Sequence, residues 1–241
     1  MHPLSSLTLA VLLSAATLAA AEPIFYETYY PNQSTSRVPA VIALHSSGGY
    51  SSIKGKVGGY VNSGYAVYTP DFFKRHGITT ATRFDTWGIH RTAIEQELGE
   101  IVELMKKDPK VDPDNIFAVG FSNGGYWAAF LTAKGLVNAG VAHYGVWNFP
   151  NNTNNFPASY FSATSHPMLA LVGLKDETQK PRFVLPQVEN AQKRSPAVQV
   201  HTYETTHGWD CIVCNSEYVR NEEVTTDALK RTLAFFRANT K

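Results

Sequence analysis

The sequence lacks an excess of charge of either sign. Its 241 residues include 21 lysines and arginines against 20 aspartates and glutamates, which leaves a formal net charge of +1 at neutral pH. Such a balanced chain has no electrostatic feature that favours a nucleic acid, an acidic polymer or a membrane surface as an obligatory partner. We therefore expect a small substrate that carries little charge.

The chain also lacks internal repeats and long linkers. Hydrophobic residues make up 44% of the sequence, which is enough for one sizeable core in a chain of this length. Two separate domains are disfavoured on the same grounds. We expect a single domain over residues 22–241.

Long apolar runs are scarce, and the one that stands out lies at the start of the chain. Residues 7–20 are apolar but rich in Ser, Thr and Ala, and Ala21 before Glu22 completes a stretch that resembles an Ala-x-Ala cleavage site. The run is short for a membrane span. No Lys or Arg precedes it, which departs from the usual signal-peptide pattern. We predict a signal peptide over residues 1–21, cleavage near Ala21, export to the periplasm or the medium, and no membrane span in the mature form. An uncleaved anchor is the alternative.

Cysteine is also scarce, since Cys211 and Cys214 are the two cysteines of the chain. In an exported protein this close pair predicts a short-range disulfide, because the compartment oxidises thiols. A thioredoxin-like redox pair needs a helix that opens at the first cysteine, which this context supplies poorly. A zinc site needs three or four ligands, and only His207 and Asp210 lie nearby. The redox pair, the zinc site and free thiols stay open as alternatives.

The rest of the sequence alternates between two kinds of apolar pattern. Short continuous apolar runs, typical of strands buried on both faces, span residues 38–44, 65–68, 116–119, 141–146, 168–172 and 198–203. Residues 94–105 and 224–236 instead place apolar side chains at helical spacing. This alternation predicts an α/β fold with a mostly parallel, doubly wound sheet and helices on both faces.

One serine stands between glycines at the junction of a predicted strand and a predicted helix. The stretch reads Gly-Phe-Ser-Asn-Gly-Gly, with Ser122 at its centre and a helix expected from Asn123 to Lys134. Glycines at these positions are needed where a strand turns abruptly into a helix, because side chains would collide there. Ser122 is therefore a candidate nucleophile, and an ordinary tight turn is the alternative.

A serine hydroxyl needs a histidine to take its proton and a carboxylate to orient that histidine. In hydrolases whose serine lies on such a strand-to-helix turn, the chain order is serine, acid, histidine. Asp176 follows the run at 168–172, and His207 follows the last predicted strand, so both should lie at the carboxyl edge of the sheet. We predict Ser122, Asp176 and His207 as the catalytic residues, with Glu177 as the rival carboxylate.

Such a reaction also needs two backbone N–H groups that hold an oxyanion. We expect one from Asn123, at the start of the helix, where the helix dipole helps. The other should come from the glycine-rich loop after the first long apolar run, where Ser47 lies two residues beyond His45. A plain glycine-rich turn is the alternative.

These motifs, GFSNGG, LHSSGGY, VGLKDE and YETTHGWD, resemble those of the dienelactone hydrolase family of α/β-hydrolases, over nearly everything after Pro39. The resemblance implies a compact core with no separate cap domain that hydrolyses small esters and lactones without a cofactor. Ser122 stands where the enzyme that names the family has a cysteine. The family's carboxylate-binding arginine after the histidine is missing, because Cys211 occupies that region. Dienelactone itself is therefore a doubtful substrate.

The sequence thus predicts an exported serine hydrolase that cleaves carboxylic esters or lactones through an acyl-enzyme, with no cofactor or metal. Peptide cleavage or acyl transfer by the same residues, and a non-catalytic binding protein on this scaffold, stay open. Residues 147–161 form either a surface loop or a lid. Their aromatic side chains and Trp209 favour an apolar or aromatic substrate group: Trp147, Phe149, Phe156, Tyr160 and Phe161. A disulfide near His207 should brace the loop that carries it.

Overall fold

The computed structural model describes residues 23–32, 36–149, 156–212, 214 and 218–241. The signal peptide predicted over residues 1–21 lies outside the described residues. So do residues 150–155, the middle of the predicted loop or lid. No helix within the described ranges is long and apolar enough to span a membrane.

Seven strands form one sheet within these described ranges. They are β1 (Tyr26–Tyr29), β2 (Val38–Leu44), β3 (Ala66–Pro70), β4 (Val111–Phe121), β5 (Ala139–His143), β6 (Met168–Gly173) and β7 (Val198–Tyr203). Their order across the sheet is β1-β3-β2-β4-β5-β6-β7. Only β1 runs antiparallel to its neighbour among the pairs of this sheet.

Helices cover both faces of the sheet. They are α1 (Gly58–Asn62), α2 (Arg91–Lys107), α3 (Asn123–Ala133), α4 (Pro181–Arg194) and α5 (Glu222–Ala238). Successive side chains of β2 point to opposite faces, because a strand has a period of two. Ile42 and Leu44 pack in the cluster of α2 and α3, whereas Val41 and Ala43 pack in that of α1 and α5. The predicted α/β fold, with a mostly parallel sheet and helices on both faces, is confirmed.

The register of the parallel strands aligns their carboxyl ends. Leu44 of β2 pairs with Gly120 of β4, and Phe121 of β4 pairs with His143 of β5. At the other side of the sheet, Gly173 pairs with Tyr203. The loops that follow β2, β4, β6 and β7 therefore leave the sheet at one edge, where open α/β sheets place their sites.

Some element bounds differ from the predicted ones. The strand predicted over 141–146 ends at His143, because Tyr144 has a positive φ of 39° that a strand does not accommodate. Helix α4 was missed, since Pro186 inside it reads as a helix breaker. Strand β1 was also missed, because it is short and half exposed and so has no continuous apolar run.

Candidate active site

Ser122 occupies the turn between β4 and α3. Strand β4 ends at Phe121 and helix α3 begins at Asn123, so the serine alone makes the change of direction. Its backbone adopts φ 52° and ψ −110°, a conformation that residues other than glycine rarely adopt. Its N–H donates to the carbonyl of His143 at 3.0 Å, and its carbonyl accepts from Val146 at 3.0 Å. Strain held in place by surrounding hydrogen bonds is a feature that clusters at functional sites.

The glycines beside Ser122 are required by close approaches of the backbone. A Cβ atom on Gly120 would lie 1.9 Å from the carbonyl oxygen of Gly124. A Cβ on Gly124 would lie 2.1 Å from the carbonyl oxygen of Leu44. Because carbon and oxygen cannot approach so closely, any larger residue would push α3 away from the sheet. The two glycines thus let α3 start directly against β2 and β4.

Asp176 lies in the loop after β6 with its carboxylate fully engaged. One oxygen, Oδ1, accepts the backbone N–H groups of Thr178 at 2.8 Å and Gln179 at 2.6 Å. The other, Oδ2, lies 2.6 Å from Nδ1 of His207. The side chain is almost completely buried. Its orientation is therefore fixed by the loop before any substrate arrives.

His207 lies between Asp176 and Ser122. Its Nδ1 faces the carboxylate, and its Nε2 lies 3.0 Å from Oγ of Ser122. Because a carboxylate can only accept, Nδ1 of the neutral imidazole carries the proton and Nε2 presents a lone pair to the serine hydroxyl. The structure thus brings the three predicted residues into one hydrogen-bonded chain.

The loop after β6, which carries Asp176, is in direct backbone contact with the base loop, residues 204–221, which carries the predicted base His207. The N–H of Lys175 donates to the carbonyl of Thr205 at 3.0 Å, and a Cβ on Gly173 would lie 2.6 Å from that same carbonyl oxygen. The rival carboxylate points elsewhere: Glu177 is 83% exposed and pairs with Lys180 at 3.1 Å. Of the two adjacent acids, only Asp176 reaches the histidine.

Two other histidines near the sheet edge have buried side chains, and the ring of neither is bonded to Ser122. Burial lowers the pKa of His45 from 6.5 to about 4, and its ring stacks on Phe72 at 3.9 Å. Burial likewise lowers the pKa of His143 from 6.5 to about 4, and its Nε2 lies 2.9 Å from the hydroxyl of Thr232. Both side chains are therefore neutral packing elements at physiological pH.

Ser47 and Asn123, the predicted oxyanion donors, lie close to each other. In the glycine-rich loop, the N–H groups of Ser46, Gly48 and Gly49 all donate to partners inside the loop. The N–H of Ser47 has no such partner among the described residues. Asn123 opens α3, so its N–H has no intrahelical partner. The side-chain amide of Asn123 also reaches Oγ of Ser47 at 3.4 Å. This amide links the two segments.

The predicted aromatic substrate wall is largely packed into the core. Trp147 lies on Phe161 with ring centroids 6.2 Å apart, and Phe149 stacks on Trp87 at 5.0 Å. Trp209 is fully buried. These side chains therefore support the loops around the site and offer little surface of their own to a ligand.

Cys211 and Cys214 are joined in a disulfide four residues after His207. Asp210, the other candidate zinc ligand, is instead ion-paired with Lys56. Among the described residues no group of three or more His, Cys, Asp and Glu side chains is placed to hold a metal ion.

Sequence reasoning missed a buried polar cluster behind His207. Nζ of Lys56 donates to the carboxylate of Asp210 and lies 3.1 Å from the hydroxyl of Tyr144, which itself donates to the same carboxylate oxygen. Burial lowers the pKa of Lys56 and raises the pKa of Tyr144 well above its usual value. No local sequence signal marks Lys56 or Tyr144 or links them to Asp210, because the three residues come from three separate segments.

The family model of the dienelactone hydrolase family matches residues 26–240. No curated protein matches the sequence.

Several solved structures have the same fold. A protein of Klebsiella pneumoniae subsp. pneumoniae that is grouped with the dienelactone hydrolases is 20% identical with a TM-score of 0.73, over 90% of this chain and 93% of that one. A dienelactone hydrolase-like promiscuous phosphotriesterase from metagenomic libraries is 14% identical with a TM-score of 0.73, over 90% and 93%. Esterase 2 of Thermogutta terrifontis, phosphonylated by sarin, is 16% identical with a TM-score of 0.67, over 88% of each chain. At these identities the likeness shows the fold.

Proposed function

The chain belongs to the dienelactone hydrolase family, which makes it a carboxylester hydrolase, and we propose that it uses Ser122 as nucleophile through an acyl-enzyme. The observation that carries the proposal is the continuous chain of hydrogen bonds from Ser122 through His207 to Asp176. The strained turn at Ser122 also supports the proposal. A strained serine between a strand and a helix presents its hydroxyl at the sheet edge.

In the first half of the reaction, Oγ of Ser122 attacks the ester carbonyl while Nε2 of His207 takes the hydroxyl proton. The carbonyl oxygen becomes an oxyanion, which the N–H groups of Ser47 and Asn123 hold. Asp176 stabilises the imidazolium that has formed. His207 then gives the proton to the leaving alkoxide, the C–O bond breaks, and the acyl group stays on Ser122.

In the second half, water attacks the acyl-enzyme and His207 takes one of its protons. The second tetrahedral intermediate collapses, Oγ of Ser122 leaves and regains the proton from His207. The products are a carboxylic acid and the free enzyme. For a lactone, the alcohol and the acid are parts of one molecule, so a single hydroxy acid is released.

The charges around the base loop favour an uncharged acyl group. The arginine that follows His207 most closely in sequence is Arg220, and it is already engaged. Its guanidinium pairs with Glu222 and donates to the carbonyl of Cys211 at 3.1 Å. Among the described residues of this loop, Arg220 is therefore not free to bind a carboxylate on the substrate, which supports simple esters and lactones as substrates.

The disulfide supports export, because such bonds persist in oxidising compartments. We propose that residues 1–21 are removed and that residues 22–241 form one domain. The N-terminal residue of protein recovered outside the cytoplasm tests this. A start near Glu22 agrees with the proposal, and a start at Met1 contradicts it.

The proposed chemistry is tested by p-nitrophenyl ester hydrolysis with Ser122→Ala. We expect kcat to fall by roughly 10,000-fold or more, because a triad acts as a unit. Ser51→Ala is the matched control, since Ser51 is exposed in the adjacent loop and should keep wild-type activity. Hydrolysis that persists in folded Ser122→Ala would overturn the proposal.

A further inference from the structure

Beyond the proposed triad, the structure contains the buried cluster of Lys56, Tyr144 and Asp210. The side chains of Lys56 and Asp210 are each only 10% exposed, so a lysine and an aspartate are paired nearly out of water. Nζ of Lys56 also donates to the backbone carbonyl of Asp210 at 3.0 Å and lies 4.9 Å above the ring centroid of Phe121. This one ammonium group therefore contacts the segment before Ser122 and the loop after His207.

Tyr144 connects this cluster to the proposed base. Its ring meets the imidazole of His207 edge to face, with centroids 4.8 Å apart, and meets Trp209 in the same way at 4.7 Å. Its hydroxyl is held by Asp210 and Lys56. Its backbone is held in a positive φ of 39°. A tyrosine restrained at both ends forms a rigid surface for the histidine ring.

The loop that carries His207 depends on such restraints because it belongs to no helix or strand. Asp210 lies three residues after His207, and Ile212 packs on the backbone of Gly55, where a Cβ would lie 2.2 Å from its Cδ1 atom. Gly55 and Lys56 are neighbours in one short 3₁₀ turn. An apolar contact and an ion pair thus join this turn to the base loop.

A buried ion pair is a poor way to gain stability, because desolvation of both charges offsets much of their attraction. An apolar pair of similar volume would fill the same space at less cost. What the ammonium adds is direction: three donors placed on one carboxylate, one carbonyl and one hydroxyl. That directional arrangement points to a positional role.

We propose that Lys56 is a positioning residue for the catalytic base: it fixes Asp210 and Tyr144 so that the imidazole of His207 stays aligned between Asp176 and Ser122. Lys56 touches neither Ser122 nor His207 through a hydrogen bond of its own, so it acts through the other two members of the cluster. The inference rests on the proposed function, because it concerns the base of that reaction.

The test is the steady-state kinetics of Lys56→Met, which keeps the length of the side chain and removes the ammonium. We expect kcat to fall by about 10- to 100-fold, since small misplacements of catalytic groups have effects of this size. KM should change little, because the acyl and alcohol sites are not altered. Lys56→Arg keeps a cation and several donors, and should recover most of kcat.

Lys54→Met is the matched control on the same short turn. Lys54 is 54% exposed and pairs with Glu27 on the surface at 3.3 Å, so its loss should leave kcat at the wild-type value. Each protein is titrated with a fluorophosphonate, and kcat is expressed per reactive serine. A merely structural role would lower the number of reactive sites and leave kcat per site unchanged.

An unchanged kcat per site in Lys56→Met overturns the inference. If that variant does not fold, Tyr144→Phe replaces it, since this change removes only the hydroxyl that the cluster holds. A lower kcat per site then supports the inference, and an unchanged one overturns it. Absence of any adduct on Ser122 in the wild-type protein would instead mark failure of the proposed function itself.

Discussion

At the scale of single residues, the position of one acidic side chain separates a catalytic candidate from a surface group. Asp176 and Glu177 are adjacent in sequence, but only Asp176 is buried and bonded to His207. Glu177 is exposed and bonded to Lys180. The pair therefore offers a test in which two neighbouring carboxylates are changed in the same way.

Asp176→Asn should lower kcat by about 1,000- to 10,000-fold, because an amide cannot hold His207 in the tautomer that accepts the serine proton. Glu177→Gln should leave kcat within about twofold of wild type, as expected for an exposed surface ion pair. Ester hydrolysis at saturating substrate measures both. Equal losses in the two variants, or activity of Asp176→Asn near that of wild type, would contradict the assignment.

The sequence was informative about the candidate site wherever a residue type and its place in the chain act together. Ser122 could be predicted from its flanking glycines, and Asp176 and His207 from their positions after successive strands. Lys56 and Tyr144 could not be predicted, because nothing local distinguishes a lysine in a surface turn from one that is buried by a distant loop. Their roles depend on tertiary contacts alone.

At the scale of elements, the base loop combines a short disulfide with the Lys56 cluster. The N–H of Cys211 donates to the carbonyl of Gly208 at 2.9 Å, and Arg220 donates to the carbonyl of Cys211. The disulfide thus closes a loop whose backbone is already bonded to Gly208, the residue after His207, on one side and to Arg220 on the other.

Reduction of the disulfide should therefore lower activity by several-fold before the protein unfolds, because the loop loses a restraint while the sheet does not. Activity and tryptophan fluorescence are measured together as reductant is added. The variant with both Cys211→Ser and Cys214→Ser should show no response to reductant. Full activity of wild type whose two thiols are shown to be free would contradict the bracing role.

The strands differ in how far their bounds depend on tertiary contacts. Strands β2 and β7 have the predicted bounds, Val38–Leu44 and Val198–Tyr203. Strand β4 begins at Val111, well before the predicted start, although Pro113 lies within it. Val111 pairs with Val38, so pairing with β2 extends the start of β4. Such an extension depends on tertiary contacts and cannot be predicted from a local sequence pattern.

At the scale of the whole molecule, three buried ionisable side chains with strongly shifted pKa values contribute to how stability depends on pH. His45 and His143 both have a pKa lowered by burial from 6.5 to about 4. Burial raises the pKa of Glu97 from 4.5 to about 7. Between about pH 4.5 and 6.5, the unfolded chain holds protons on both histidines, whereas the folded chain holds one on Glu97. The unfolded state therefore binds more protons in this window.

It follows that the free energy of unfolding should decrease as the pH falls from about 6.5 toward 4, since acid favours the state that binds more protons. Glu97→Gln removes the opposing contribution, so the decrease should be steeper in that variant. Urea unfolding at a series of pH values measures both slopes. A free energy of unfolding that rises between pH 6.5 and 4.5 would contradict this account.

The central claim is that Ser122 is a nucleophile activated by His207, and a covalent adduct tests it most directly. The mature protein is treated with a fluorophosphonate and its intact mass is determined, with Ser122→Ala and His207→Ala beside it and peptide mapping of the adduct. We predict one adduct, on Ser122, that is absent from Ser122→Ala and strongly slowed in His207→Ala. No adduct in folded wild-type protein, or an adduct on another residue that persists in Ser122→Ala, would contradict the claim.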